Sequence, residues 1–148
     1  MTTTPNAATN YLELKLLQHV FTSTAYTSPK SSLYLALATA VDSSAANEGS
    51  FTEANFGSYA RVKINGENTT QPYWVVANNS GTVTAKNNGE VSFPASSSGT
   101  NTITHVVLTD NGTIGQGNAL FIGDVTDRTI LTGDIFRIND ANLTIELK

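Results

Sequence analysis

The run THVVLTDNGTIGQGNALFIGDV, from Thr104 to Val125, gathers most of the residues that could do chemistry. It holds His105, one of two histidines, with Asp110 five positions on and a cluster of glycines. A histidine and a carboxylate can share a proton in general acid–base catalysis. A glycine-rich loop can cradle a phosphate if a helix N-terminus follows it. Neither pattern is completed here. The glycines of the loop run G-x-x-G-x-G rather than G-x-G-x-x-G, no helical period follows, and the lysine of a phosphate loop is missing. On an extended strand, five residues span roughly 16 Å, which keeps His105 and Asp110 apart. No serine occupies a nucleophile elbow and no H-E-x-x-H motif occurs. Asp110-Asn111-Gly112 is instead a sequence that accepts positive φ and turns a strand over. The run reads as a β-hairpin, with His105 a polar side chain on a sheet face.

The other candidates are weighed in the same way. Asp124, Asp127 and Asp134 surround VTDRTILTGD, read as a loop, but their spacing matches no calcium loop. His19 falls at the end of a predicted helix, where the helix dipole favours a positive charge. Tyr59, Arg61 and Lys63 share one face of the alternating segment SYARVKI. Aromatic residues and arginine dominate interface energetics, so Tyr59, Arg61, Tyr73 and Trp74 are the expected subunit-interface anchors. The expected catalytic, cofactor and metal residues are none, and the chain is not read as an enzyme. Four Asn-x-Ser/Thr triplets are what a chain rich in Asn and Thr produces by chance.

The elements that must position these residues follow from period and punctuation. Asn10–Phe21 is the one predicted helix, with Asn10 as cap and Glu13 three residues on. Leu12, Leu16, Leu17, Val20 and Phe21 recur at helical spacing as one apolar stripe, expected to pack on a sheet. From about residue 32 the period becomes that of strands. SLYLALAT (Ser32–Thr39) reads as a buried strand and SYARVKI (Ser58–Ile64) as a half-buried one. PYWVVANN, Thr82–Lys86 and Glu90–Phe93 follow, the last two about a turn at Asn87-Asn88-Gly89. Thr102–Thr109, Ala119–Val125, Ile135–Ile138 and Leu143–Leu147 complete about nine short strands. That spacing predicts an all-β antiparallel sandwich or barrel-like domain over 10–148, with one N-terminal helix. Residues 1–9 read as an extended arm, and Val41–Gly57 as a long loop.

Composition narrows the function classes. The 148 residues include 22 Thr, 15 Asn and 13 Ser, about a third of the chain, which favours strands and turns. Cysteine is absent, excluding disulfides and thiolate chemistry. A net charge of −4 argues against a nucleic-acid groove, which needs clustered Lys and Arg. No apolar run is long enough for a bilayer-spanning helix, and no secretory signal is visible.

Seven segments in order resemble one family: NYLELKLLQHVF, SSLYLALAT, GSYARVKI, GEVSFPASSS, ITHVVLTDN, GNALFIGDV and LTGDIFRINDANLTIELK. Similar runs occur, in the same order, in small tailed-bacteriophage proteins labelled tail-fibre-like or virion structural. The resemblance spans nearly the whole chain after residue 9 and implies no catalytic residue. It implies a virion structural protein, assembled in the bacterial host cytoplasm. The expected role is capsid decoration, cementing the major capsid protein or other virion proteins as a homo-oligomer, with a trimer favoured. The alternative is a tail or tail-fibre component with a structural or host-receptor-binding role. The arm and the Val41–Gly57 loop are the parts expected to reach a neighbour.

Overall fold

The computed structural model describes residues 7–41, 50–64, 66 and 70–147. In chain order the elements are β1 (Ala7–Ala8), α1 (Asn10–Phe21), β2 (Tyr34–Val41), β3 (Phe51–Glu53), β4 (Val62–Lys63) and β5 (Tyr73–Asn79). Then come β6 (Thr82–Asn88), β7 (Val91–Ser92), β8 (Asn101–Thr109), β9 (Ala119–Ile130), β10 (Arg137–Ile138) and β11 (Thr144–Leu147). The main antiparallel sheet runs β1-β9-β8-β2-β3, with β4 also paired to β2. A smaller sheet, β11-β6-β5, and the pair β10-β7 complete an open β-sandwich. Among the described residues no sheet closes into a barrel.

β2 explains why SLYLALAT is apolar nearly throughout. Its residues alternate between two buried environments. Leu35 and Leu37 enter the main core with Ile103, Val106 and Leu108 of β8, with Trp74 of β5, and with Phe93 and Phe136, which flank β7 and β10. Ala36 and Ala38 point the other way, into a second cluster with Val107 and Ile122. A strand buried on both faces reads as a continuous apolar run. Its register fixes the sheet centre: Leu35 opposite Leu108 and Ala38 opposite His105.

The predicted hairpin between Thr104 and Val125 is present as β8 and β9, pairing Val107 with Ile122. Asp110 holds its connecting loop. Its two carboxylate oxygens accept from the backbone N and side-chain Nδ2 of Asn118, at 2.7 and 3.0 Å. Gly117 has φ +77°, and a Cβ there would lie 2.4 Å from Asn111 Cβ and 2.6 Å from Asp110 Oδ1. Gly117→Ala is therefore expected to destabilise the domain by more than the ~1 kcal/mol that such a replacement gains where the backbone permits it. A urea-unfolding midpoint unchanged by the substitution would contradict this.

Several boundaries differ from the sequence reading. The helix cap is Thr9, not Asn10: Thr9 Oγ1 accepts from the Leu12 backbone N and donates to Ala119 O at 2.6 Å. Thr9 thereby ties the helix to the start of β9. The arm expected over 1–9 is structured at its end, since Ala7 and Ala8 pair with Ile122 and Phe121; residues 1–6 lie outside the described residues. Of the loop expected over Val41–Gly57, β3 forms an edge strand and residues 42–49 lie outside the described residues. Only Val62–Lys63 of SYARVKI is a strand, because Arg61 turns inward to a polar site. β9 continues to Ile130, so Asp127 and Arg128 of VTDRTILTGD lie on a strand and not in a loop. Asn87-Asn88-Gly89 does not close a hairpin: β6 and β7 belong to different sheets. The tight hairpin turn is Ser80-Gly81, both at positive φ, joining Asn79 to Thr82.

Candidate interaction surface

The helix α1 is placed by Thr9 at its first turn and closed by Thr22, whose N–H and hydroxyl both donate to Gln18 O. Its orientation reverses the sequence expectation. Tyr11, Leu12, Lys15 and Gln18 are half-buried, while Leu14, Leu16, Leu17, Val20 and Phe21 are exposed. Of the predicted stripe only Leu12 turns toward the domain; Leu16, Leu17, Val20 and Phe21 face out, joined by Leu14. Phe21 keeps 78% of its surface exposed. Clustered exposure of large apolar side chains on one helix face marks an interaction surface more often than an isolated exposed leucine does.

Beside the helix lies an apolar groove of about 370 Å3. Leu12 forms one wall, Val76 and Val83 of the β5–β6 hairpin the other, and Leu120, Phe121 and Trp74 also line it. Trp74 is only 8% exposed, and its Nε1–H has no hydrogen-bond partner. A second cleft, about 330 Å3, shares Trp74 and extends along β9 to Asp124.

The four expected interface residues fall into different settings. Tyr59 and Arg61 are brought together by Glu53, inside the chain. Arg61 Nε and Nη2 donate to the two Glu53 oxygens at 2.7 and 2.9 Å. Its Nη1 donates to the carbonyls of Asn111 and Gln116, at 2.7 and 3.0 Å. The Tyr59 hydroxyl donates to Glu53 at 2.8 Å and accepts from the Leu37 backbone N at 3.0 Å. Burial raises the Tyr59 phenol far above its ordinary pKa, and the Glu53 carboxylate acts in the same direction. It therefore remains a neutral donor. This site ties β2, β3 and the 110–118 loop together and leaves Arg61 little surface to offer a neighbour. Trp74 is buried but lines the groove, and Tyr73 is half-buried at the start of β5.

His105 does not meet Asp110. It is buried, with Nδ1 2.8 Å from Thr104 Oγ1 and Nε2 3.5 Å from Asp124 Oδ1 on the neighbouring strand. A register irregularity in β8 between Ile103 and His105 sets that pairing, which sequence spacing does not reveal. Asp134 accepts from the Leu131 backbone N in a turn, and Asp127 is exposed on β9. His19 accepts from the Tyr26 backbone N through Nδ1, bracing the chain that leaves the helix. Among the described residues no three His, Asp or Glu side chains gather as metal ligands. Asn87, unremarked in sequence beyond a turn, is a buried pin: it bonds the carbonyls of Gly89 and Asn139 and the backbone N of Leu143.

The comparisons place the chain that carries this stripe and groove in a known family. No curated protein matches the chain. The family model described as Podophage GP4 fiber I protein gp80 matches residues 7–146, from the edge strand β1 into β11. On that match the chain belongs to the podophage GP4 fiber I protein gp80 family, a family of phage fibre-like virion proteins.

Proposed function

We propose that the chain is a non-catalytic structural subunit of a phage tail fibre, assembled with other virion proteins in the infected cell. The observation that carries this reading is the family match over residues 7–146, whose description is a fibre protein. The fold supports it in kind. Its buried arginine holds strands together, His105 is buried between strands and His19 braces the chain leaving the helix, and its outward apolar helix face suits a permanent contact rather than a free monomer. Capsid decoration, the role first expected from the sequence, would place the same contact on the head lattice; the fibre description favours the tail. A closed homo-oligomer fits either position, since repeated subunits in such particles meet through symmetric contacts. The trimer is the symmetry to look for.

Separated heads and tails from purified virions test the reading by quantitative mass spectrometry. The chain is expected in the tail fraction, at a few to a few dozen copies per particle. Recovery with the heads in hundreds of copies would return the cement role. Absence from both fractions would remove the structural reading altogether.

A further inference from the structure

We infer that the exposed stripe of α1 docks into the apolar groove of a second copy of this chain, so that α1 is the self-association element of the fold. Two observations on one chain make the two surfaces complementary. The first is shape. Leu14, Leu17 and Phe21 form a ridge at spacings of three and four residues, while the groove beside Leu12 and the β5–β6 hairpin has room for a phenyl ring and is lined by Trp74.

The second is area and charge. The five apolar residues of the stripe, with Val76 and Val83 of the groove, expose roughly 700 Å2, against the ~800 Å2 that one subunit contributes to a standard interface. Glu13 is the one carboxylate on that helix face. Chains of net charge −4 repel one another at a distance, and this nearly uncharged surface is where two copies approach at least electrostatic cost. A second copy of the chain supplies the ridge and the groove together.

Sedimentation equilibrium of the purified chain tests this, with acrylamide quenching of Trp74, the single tryptophan, recorded over the same concentrations. Association is expected below ~100 µM, with Trp74 becoming less accessible as the oligomer forms. Phe21→Asp should weaken association at least ~30-fold, as loss of an interface anchor does. Because Phe21 is exposed in the single chain, the variant should match the parent's thermal unfolding at dilutions where the parent is monomeric, and only the parent's should rise with concentration; Leu17→Asp provides a second variant with the same expectation. A parent chain that stays monomeric at ~100 µM, or an oligomer indifferent to both substitutions, would overturn the inference. So would a monomeric parent whose Phe21→Asp variant is lost from virions, since the occupant would then be another virion protein.

Discussion

Arg61→Leu is expected to destabilise the domain by about 3–5 kcal/mol, the range for breaking one side of a buried ion pair. The side chain is 2% exposed and that of Glu53 11%, so neither can turn to water for its missing partner. The substitution removes more than a charge. It strands the Glu53 carboxylate and takes a donor from the carbonyls of Asn111 and Gln116. Buried acceptors left without partners carry their desolvation penalty in full. A single domain with ordinary stability has about 5–15 kcal/mol in total, so the loss is a large part of it. Urea unfolding reads the effect directly. Arg61→Leu combined with Glu53→Leu should cost less than the sum of the single changes, because the second removes the stranded charge. A single-variant loss below ~1 kcal/mol would mean that the pair is solvated like a surface salt bridge.

Phe93→Ala is the second large effect, about 3–5 kcal/mol by cavity formation. Phe93 is 2% exposed and sits where the layers of the sandwich meet. Its ring stacks on Tyr59 at 6.3 Å between centroids and meets the edge of Phe136 at 5.9 Å. Its backbone N donates to Phe136 O at 3.0 Å. Truncation removes one of Tyr59's two ring contacts, leaving Phe56 at 5.3 Å, and so reaches the Glu53–Arg61 site as well. Phe93→Leu keeps much of the volume and should lose far less. Equal losses for Ala and Leu would show that ring packing rather than filled volume decides stability here.

The parts of this fold legible in the sequence are those whose signal is local. SLYLALAT announces burial because each of its faces is buried, and the glycine-rich loop after Asp110 announces a hairpin, although the positive φ falls at Gly115 and Gly117 and not at Asp110-Asn111-Gly112. Segments settled by distant partners were not legible. SYARVKI alternates like a strand, yet Arg61 leaves the strand geometry for partners 8, 50 and 55 residues away. The His105–Asp124 approach depends on an irregular register that no spacing rule contains. β9 runs through VTDRTI because β8 is there to pair with it, as far as Asn101 opposite Ile130.

The helix shows a different limit. Of the stripe read from its spacing, Leu12 turns inward while Leu16, Leu17, Val20 and Phe21 face out beside Leu14; helical spacing is the same whether a stripe faces inward or outward. Direction is set by Thr9, which fixes the first turn on β9, and by the half-buried Tyr11, Lys15 and Gln18. An outward stripe in an otherwise well-formed sandwich turns the question from catalysis to assembly. It also relocates the contact surface. Of the expected anchors only Trp74 lies at the groove, whereas Tyr59 and Arg61 hold the fold itself.

A cryo-EM map of the intact virion, at a resolution that places this sandwich and its helix, tests the account most directly. The predicted result is density for repeated copies of the fold on the tail, with the Leu14–Leu17–Phe21 face of each α1 covered. Copies arrayed on the head lattice, or copies on the tail whose α1 stripe faces open solvent, would contradict it.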